Sequence, residues 1–526
     1  MTVTAPLAST APLAPPRAGR REWLGLAVLF LPTLLVAIDN TVLGFALPAI
    51  STALAPSATQ QLWIVDVYPL VLACLLVTMG TLGDRIGRRR ILLIGVAGFG
   101  AVSLAATVAT DAGQLVLARA LLGLFGAMLM PATLALLRTL FLDRAQRRLA
   151  VAVWATGFAA GAALGPIVGG LLLEHFWWGS VFLVNVPVMV VLLVLGALVL
   201  PESRQQRPAR LDPIGVLLSL LAMGPTVLAI KSVAHDGLTA STALAAAVGA
   251  TAAWLFVRRA RARLAAGEEP LLDITLFASP VLRLSALANA STMFALTGLL
   301  YLCAQYLLLV LGLGPLDAGL VLLPGFAITM VAGLAAARLA RHLALRTLVP
   351  AGLLLAAAGF LLCLLLTRTP APAIVLGAAA VLVGAGIGLS ETITNDAILA
   401  AAPPDRAGSA SAVSETAYEI GAVLGTAVLG SVLAAVYSAA VVVPTGVGPG
   451  RASAARETLG GAVGTADRIG GVDGSALLDS ARTAFTAGVE VTAVVGAGVL
   501  VAVAVAVVAG LRPGAPLRAA APGRPA

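Results

Sequence analysis

Charge is scarce in this chain: of its 526 residues 11% are charged and 60% hydrophobic, whereas soluble domains carry roughly 25% charged residues. Lysine occurs once, at Lys231, which excludes a phosphate-binding loop of the G-x-x-x-x-G-K type and so excludes ATP as a fuel handled by this chain alone. The three histidines, His175, His235 and His342, fall in different loops, so neither a metal cluster nor a histidine-based triad is expected. No enzyme and no cofactor follow from such a composition. Cys74, Cys303 and Cys363 all lie inside apolar runs, which argues against a disulfide framework and against a thiolate metal site.

What the chain has in abundance is long apolar runs, at about residues 24–44, 61–80, 91–109, 114–137, 149–172, 180–200, 213–230, 240–257, 284–311, 317–337, 347–367, 372–397, 409–436 and 489–510. Most approach the roughly 20 residues needed to cross ~30 Å of hydrocarbon, so an all-α integral membrane protein with fourteen transmembrane helices is expected. The first run is too long for a signal-peptide core and contains Asp39, so it reads as an uncleaved first helix.

Basic residues set the orientation, because short cytoplasmic loops collect Lys and Arg. With the amino terminus inside, 26 of the 33 basic residues fall on inner loops and tails; the other seven are Arg119, Lys231, Arg368, Arg451, Arg456, Arg468 and Arg482. Both termini are therefore expected in the cytoplasm, at the plasma membrane. The net charge of +9 is spread over these loops beside anionic lipid headgroups, which accounts for it without a nucleic-acid partner.

Charged residues inside apolar runs mark a pathway or relay, since each costs several kcal/mol in hydrocarbon on most scales. Asp39, Asp66 and Arg119 come out at comparable depth in the outer half of the first, second and fourth runs. Two acids against one base leave an excess carboxylate, which favours proton or cation chemistry. The second half supplies Glu391 and Asp396 in the twelfth run and Glu415 with Glu419 in the thirteenth. The latter pair is spaced i,i+4 on one helix face, where two ionised carboxylates repel and a shared proton is favoured. Asp396 lies near the inner end, where it can cap or snorkel.

Between the second and third runs stands the turn Gly80-Thr-Leu-Gly-Asp84-Arg85-Ile-Gly87-Arg88-Arg89-Arg90. Its glycines permit a tight turn, and Asp84 and Arg85 can lock neighbouring helix ends by charge-assisted bonds. In the fifth run Gly161, Gly165 and Gly169 recur every four residues and allow another backbone to approach, with Pro166 removing a helix hydrogen bond and Gly170 following.

This turn resembles the loop 2–3 signature of the major facilitator superfamily. Leu117-Ala-Arg119-Ala-Leu-Leu-Gly123 resembles its fourth-helix arginine motif, and Gly161 to Gly170 resembles its antiporter motif. With Ile38-Asp39-Asn40-Thr41, Asn185-Val-Pro187 and Ser414-Glu415-Thr-Ala-Tyr-Glu419, the chain is similar to the fourteen-helix drug/proton antiporters, Qac-type and Lfr-type multidrug pumps among them. The resemblance implies two six-helix bundles plus two inserted helices. The expected organisation is a tail at 1–21, a first bundle at 22–200, a linker with the inserted pair at 201–283, a second bundle at 284–511 and a tail at 512–526. An extracellular loop spans 437–488, either as two short helices near 451–464 and 474–485 or as a loosely ordered connector. It implies export of lipophilic cationic drugs, dyes and quaternary ammonium compounds by a monomer in exchange for protons, among membrane lipids. Asp39, Asp66, Arg119, Glu391, Glu415 and Glu419 would carry proton coupling and cation binding, and Gly80, Asp84, Arg85, Gly87 and Arg88 would form a conformational latch. Export of one endogenous metabolite, or ligand reception without transport, is compatible with the same residues.

Overall fold

A backbone in hydrocarbon has no water to bond and must satisfy itself, which makes helix the expected outcome for these runs. The computed structural model describes residues 18–204, 212–268, 270–272, 274–340, 342–401, 407–445 and 447–511, and among them there is helix and no strand. In chain order the helices are α1 (Arg20–Leu54), α2 (Ala58–Ile86), α3 (Arg88–Ala106), α4 (Ala112–Leu140), α5 (Arg144–His175), α6 (Ser180–Leu183) and α7 (Asn185–Val199). They continue as α8 (Pro213–Asp236), α9 (Ala240–Ala265), α10 (Pro280–Gln305), α11 (Pro315–Leu339), α12 (Leu345–Leu362), α13 (Pro372–Ala401), α14 (Ala407–Leu424) and α15 (Gly430–Ala440). The last are α16 (Pro449–Glu457), α17 (Leu459–Ile469) and α18 (Gly471–Gly510). Thirteen helical segments are long and apolar enough to cross a membrane. The apolar stretch Ala160–His175 of α5 is consistent with a fourteenth. The protein is a multi-pass membrane protein.

Short polar residues set the helix starts. Ser57 and Gln60 form a reciprocal capping box at α2, with bonds of 3.2 and 3.0 Å, and Asp111 accepts from the Gln114 N–H at 3.0 Å to open α4. Asp212 and Ser279 cap α8 and α10, each followed by a proline at the first helical position, where its missing N–H costs nothing.

The packing repeats. In the first half α1 packs on α5, α2 on α4, α3 on α4 and α3 on α7; in the second, α10 packs on α14, α11 on α13, α12 on α13 and α12 on α18. These are the same four pairings in the same chain order, so two bundles of one design lie side by side. They meet through α5 with α11, α2 with α14 and α1 with α10. The inserted α8 and α9 pack on each other, and α8 reaches α2 and α15. Leu70, Val227, Val423 and Ala427 form a small apolar cluster there, so α8 covers the side of the α2–α14 contact. Only 17% of the apolar window of α8 and of α9 is buried, against 67% for α1, which places the inserted pair at the periphery.

Two expectations require correction. The stretch Gly80 to Arg90 is not a loop: α2 runs to Ile86, α3 begins at Arg88, and the break is Gly87 alone, at φ +114°. The segment 474–485 is not a separate short helix, because α18 begins at Gly471 and continues unbroken to Gly510, while the two helices before it are α16 and α17. The expected sixth span at 180–200 stands as Ser180–Val199, with a single turn residue, Val184, between α6 and α7. The expected tails 1–21 and 512–526 lie outside the described residues except for 18–21.

Candidate functional site

The centre of the first bundle is an ion pair. Arg119 Nη1 lies 2.6 Å from Asp39 Oδ2, and both side chains are 1% exposed. Arg119 Nε donates to the Ile64 carbonyl at 3.1 Å, and its guanidinium sits 4.5 Å from the centroid of the Tyr68 ring. Asn185 Nδ2 donates to Asp39 Oδ1 at 3.3 Å and to Ser103 Oγ at 3.2 Å. One buried pair thus ties α1, α2, α3, α4 and α7 together. A buried charge pair is tolerated when geometry is good and remaining donors and acceptors are satisfied, and here the carboxylate and guanidinium both find further partners.

Asp66 does not join this pair. It is fully buried, but the polar partners of Arg119 are Asp39 and the Ile64 carbonyl. The reason is helical phase: Ile64 and Tyr68, four residues apart, share the face that meets Arg119, and Asp66 stands two residues from each, about 200° around the helix. Asp66 instead lies near enough to the Tyr301 phenol of α10, in the other bundle, to act on it electrostatically.

The second bundle holds acids without a base. Glu391 on α13 and Glu415 and Glu419 on α14 are all partly exposed, and none of them forms a salt bridge among the described residues. Glu391 and Glu415 interact electrostatically, as do Glu415 and Glu419. Tyr418 hydrogen-bonds Glu391 and receives a bond from Asn395 Nδ2 at 3.0 Å. Asn395 Oδ1 accepts from Ser414 Oγ at 2.5 Å and from Asn289 Nδ2 at 2.9 Å, and Asn289 Nδ2 also donates to Ser414 Oγ at 2.9 Å. Thr394 Oγ1 donates to Asn289 Oδ1. A chain of side-chain hydrogen bonds therefore runs from α10 through α13 and α14 to Glu391. Glu419 also acts electrostatically on Tyr68, so this acid lies within reach of α2 and the first bundle. Asp396 is exposed.

Bundle contacts concentrate at the end away from the arginine turns. Gln61 Nε2 donates to Gln305 Oε1 at 3.2 Å, both buried. Gly44 approaches Leu300 and Ala304, and Gly170 is so close to Pro315 and Leu316 that a Cβ would lie 2.6 Å from the Leu316 Cα. The same end carries a lid, since α17 packs on α1 and Tyr437 of α15 donates to the carbonyls of Ala455 (2.8 Å) and Thr458 (3.2 Å).

The glycines of α5 do two separate jobs. Gly161, Gly165 and Gly169 seat α1: a Cβ at these positions would meet the Leu34 carbonyl, Thr41 Oγ1 and Val42 Cγ2 at 2.4, 1.8 and 2.6 Å. Gly170 and Pro166 face α11, with the Pro166 carbonyl 2.8 Å from where a Cβ on Gly319 would stand. At the arginine-rich end, Asp84 bonds Arg88 Nε at 2.8 Å and Arg88 Nη1 reaches the Ala135 carbonyl of α4 at 3.4 Å. Arg85 is exposed and forms no ion pair among the described residues, so Asp84 bonds Arg88 where a bond with Arg85 was expected; the i,i+4 spacing puts Arg88 on the face that meets α4. Gly80 lies against Pro131 of α4, with 3.3 Å left for a Cβ.

Residues 29–426 match the family described as Major Facilitator Superfamily. The chain belongs to the Major Facilitator Superfamily. It is 53% identical to "Multidrug efflux pump LfrA" of Mycolicibacterium smegmatis over 481 residues, covering 91% of this chain and 94% of that protein. It is 36% identical to "Methyl viologen resistance protein SmvA" of Salmonella typhimurium over 466 residues, covering 88% and 93%. Among solved structures, an inward-facing, unoccupied bacterial homolog of the human lysosomal transporter Spinster superposes with a TM-score of 0.64 at 18% identity, covering 95% of this chain and all of that one. This last likeness supports the major facilitator fold. Within that fold, sequence reasoning missed Glu202, which accepts from the Arg89 N–H at 3.2 Å and lies 3.8 Å from Arg90. Its carboxylate occupies the space where a Cβ on Gly87 would be, so only glycine fits there; the three consecutive arginines were the available signal. The Gln61–Gln305 contact had no signal, because two glutamines 244 residues apart advertise nothing until the bundles meet.

Proposed function

We propose that this superfamily member exports lipophilic cationic drugs, dyes and quaternary ammonium compounds across the plasma membrane in exchange for protons. The arginine-rich end and both termini face the cytoplasm. The observation that carries the reading is the set of three partly exposed carboxylates, Glu391, Glu415 and Glu419, which form no salt bridge among the described residues and of which Glu419 lies within electrostatic reach of Tyr68 in the other bundle. Carboxylates that are neutral when protonated and attract cations when ionised make proton and drug compete for one charge, which couples the two fluxes without ATP. The bundles rock about this interface, as in other transporters built from repeats, with the Asp84–Arg88 contact stabilising one arrangement. The efflux and resistance names of the relatives support a drug as the substrate, and no cofactor or second copy of the chain enters the scheme.

The test is dye efflux by the purified chain in proteoliposomes. An imposed pH gradient drives export of several chemically unrelated cations, and collapse of that gradient abolishes it. Flux confined to one compound favours a dedicated exporter, and binding without gradient-dependent flux favours a receptor.

A further inference from the structure

The four arginines that end α9 are not equivalent. Arg259 and Arg263 turn toward the start of α8, where Asp212 Oδ1 lies 2.8 and 3.5 Å from them, and Arg263 also reaches Glu268 at 3.5 Å. Arg258 and Arg261, three residues apart on another face, form no ion pair among the described residues. Arg258 stacks on Trp254 at 5.4 Å, and Arg261 is exposed.

Beneath that free face lies a groove of about 610 Å³ between α9 and the segment that returns from it toward α10. Phe256, Val257 and Leu264 of α9 and Ile274 and Phe277 of the return segment give it apolar walls, and Arg261 stands at its lip. Trp254, 59% exposed, marks this level as the boundary between hydrocarbon and headgroups, where aromatic residues collect.

We propose that this groove binds an anionic phospholipid of the adjoining leaflet, an acyl chain lying in the apolar channel and the phosphate held by Arg261 and Arg258. A lipophilic cation would meet charge of its own sign there, and a soluble anion would leave the channel unfilled. A single chain-plus-phosphate ligand satisfies both halves. The bound lipid bridges the inserted pair to the segment leading into the second bundle, so it fastens two parts of the fold that otherwise share few contacts. The inference rests on the membrane setting of α9 and not on the proposed substrate; loss of cation export would leave it untouched.

The test is native mass spectrometry of the full chain in detergent, titrated with phosphatidylglycerol or with phosphatidylcholine of the same chains. The wild type retains phosphatidylglycerol preferentially. The Arg258→Gln/Arg261→Gln variant loses that preference by about fivefold per arginine removed, Arg261→Lys keeps most of it, and Arg20→Gln/Arg21→Gln, which removes two arginines elsewhere, leaves it intact. Val257→Trp, which fills the channel and keeps both charges, also loses the lipid. Monodisperse elution with unchanged helicity establishes that each variant is folded. Equal retention of the two lipids by the wild type overturns the proposal. So does retention by Val257→Trp when the double Gln variant has lost it, which would indicate diffuse surface charge, and so does displacement by glycerol phosphate, which would indicate a site for free anions.

Discussion

The two bundles share a packing scheme and handle charge in opposite ways. In the first, an acid and a base are brought to 2.6 Å at 1% exposure and given further polar partners; the charge is neutralised in place and holds five helices. In the second, three acids stand partly exposed with no salt bridge among the described residues, linked to one another and to a hydrogen-bond chain through Tyr418. A neutralised pair has little left to offer a passing cation, whereas uncompensated carboxylates must take up a proton or a cation to remain in that setting. Under the proposed function the first region is structural and the second carries exchange; Tyr68 stands between them, stacked on Arg119 and within the electrostatic reach of Glu419.

The largest expected effect breaks the first region. Asp39→Asn strands the Arg119 guanidinium, and leaving one partner of a buried pair uncompensated costs about 3–5 kcal/mol, so thermal stability falls and transport is abolished. Arg119→Gln added to Asp39→Asn removes the stranded charge and recovers most of the stability, as measured by thermal unfolding in detergent. Stability that does not recover would mean that the pair is not the keystone it is taken to be.

Next in size is the double variant Glu415→Gln/Glu419→Gln. Its stability stays close to that of the wild type, because no ion pair is broken, while cation affinity drops by about two orders of magnitude, roughly 2.7 kcal/mol. In the wild type, cation affinity declines as pH falls and the carboxylates protonate; in the variant that pH dependence flattens. Ligand titrations across pH measure this, and a profile that keeps its slope removes the two acids from coupling.

A smaller effect sharpens the comparison from outside both charged centres. Gly87→Ala forces an L side chain into a positive φ against the Glu202 carboxylate, at a cost of about 1–2 kcal/mol for the backbone alone. Turnover falls while drug affinity, measured on the same preparation, holds, since the latch lies at the membrane face and not at the acids. Smallest is Gln61→Ala, which deletes one buried bond between the bundles, about 1 kcal/mol. It shifts the balance toward opening at that end, read as faster labelling of a cysteine introduced at Ala304, which packs against Gly44 of the other bundle and leaves Gln305 in place.

Much of the fold was legible in order of the physics that dictates it. Apolar run length found the spans in their chain order, but not their ends, since α1 continues to Leu54 and α18 begins at Gly471. The candidate acids were visible because a carboxylate in an apolar run is costly and therefore conspicuous. Their grouping was less legible. Common depth suggested that Asp39, Asp66 and Arg119 act as a trio, yet depth is one coordinate and helix rotation another, and rotation sends Asp66 toward Tyr301. Local rules also misjudged the Gly80 to Arg90 stretch as a loop, because three glycines in eight residues read as a turn, while packing of Gly80 on Pro131 and Gly83 on Ile91 keeps all but Gly87 within helices.

The sequence by itself determined that this is a polytopic helical membrane protein, because long apolar runs in hydrocarbon must satisfy their own backbone hydrogen bonds, which a single stretch of chain does as a helix. Only the tertiary structure decided which acid meets the one intramembrane arginine, which acids stand without a base, and where the bundles touch. Those outcomes depend on the rotation of each helix about its axis and on contacts between residues hundreds of positions apart, such as Gln61 and Gln305 or Ser51 and Gly460, neither of which is encoded in any local window of the chain.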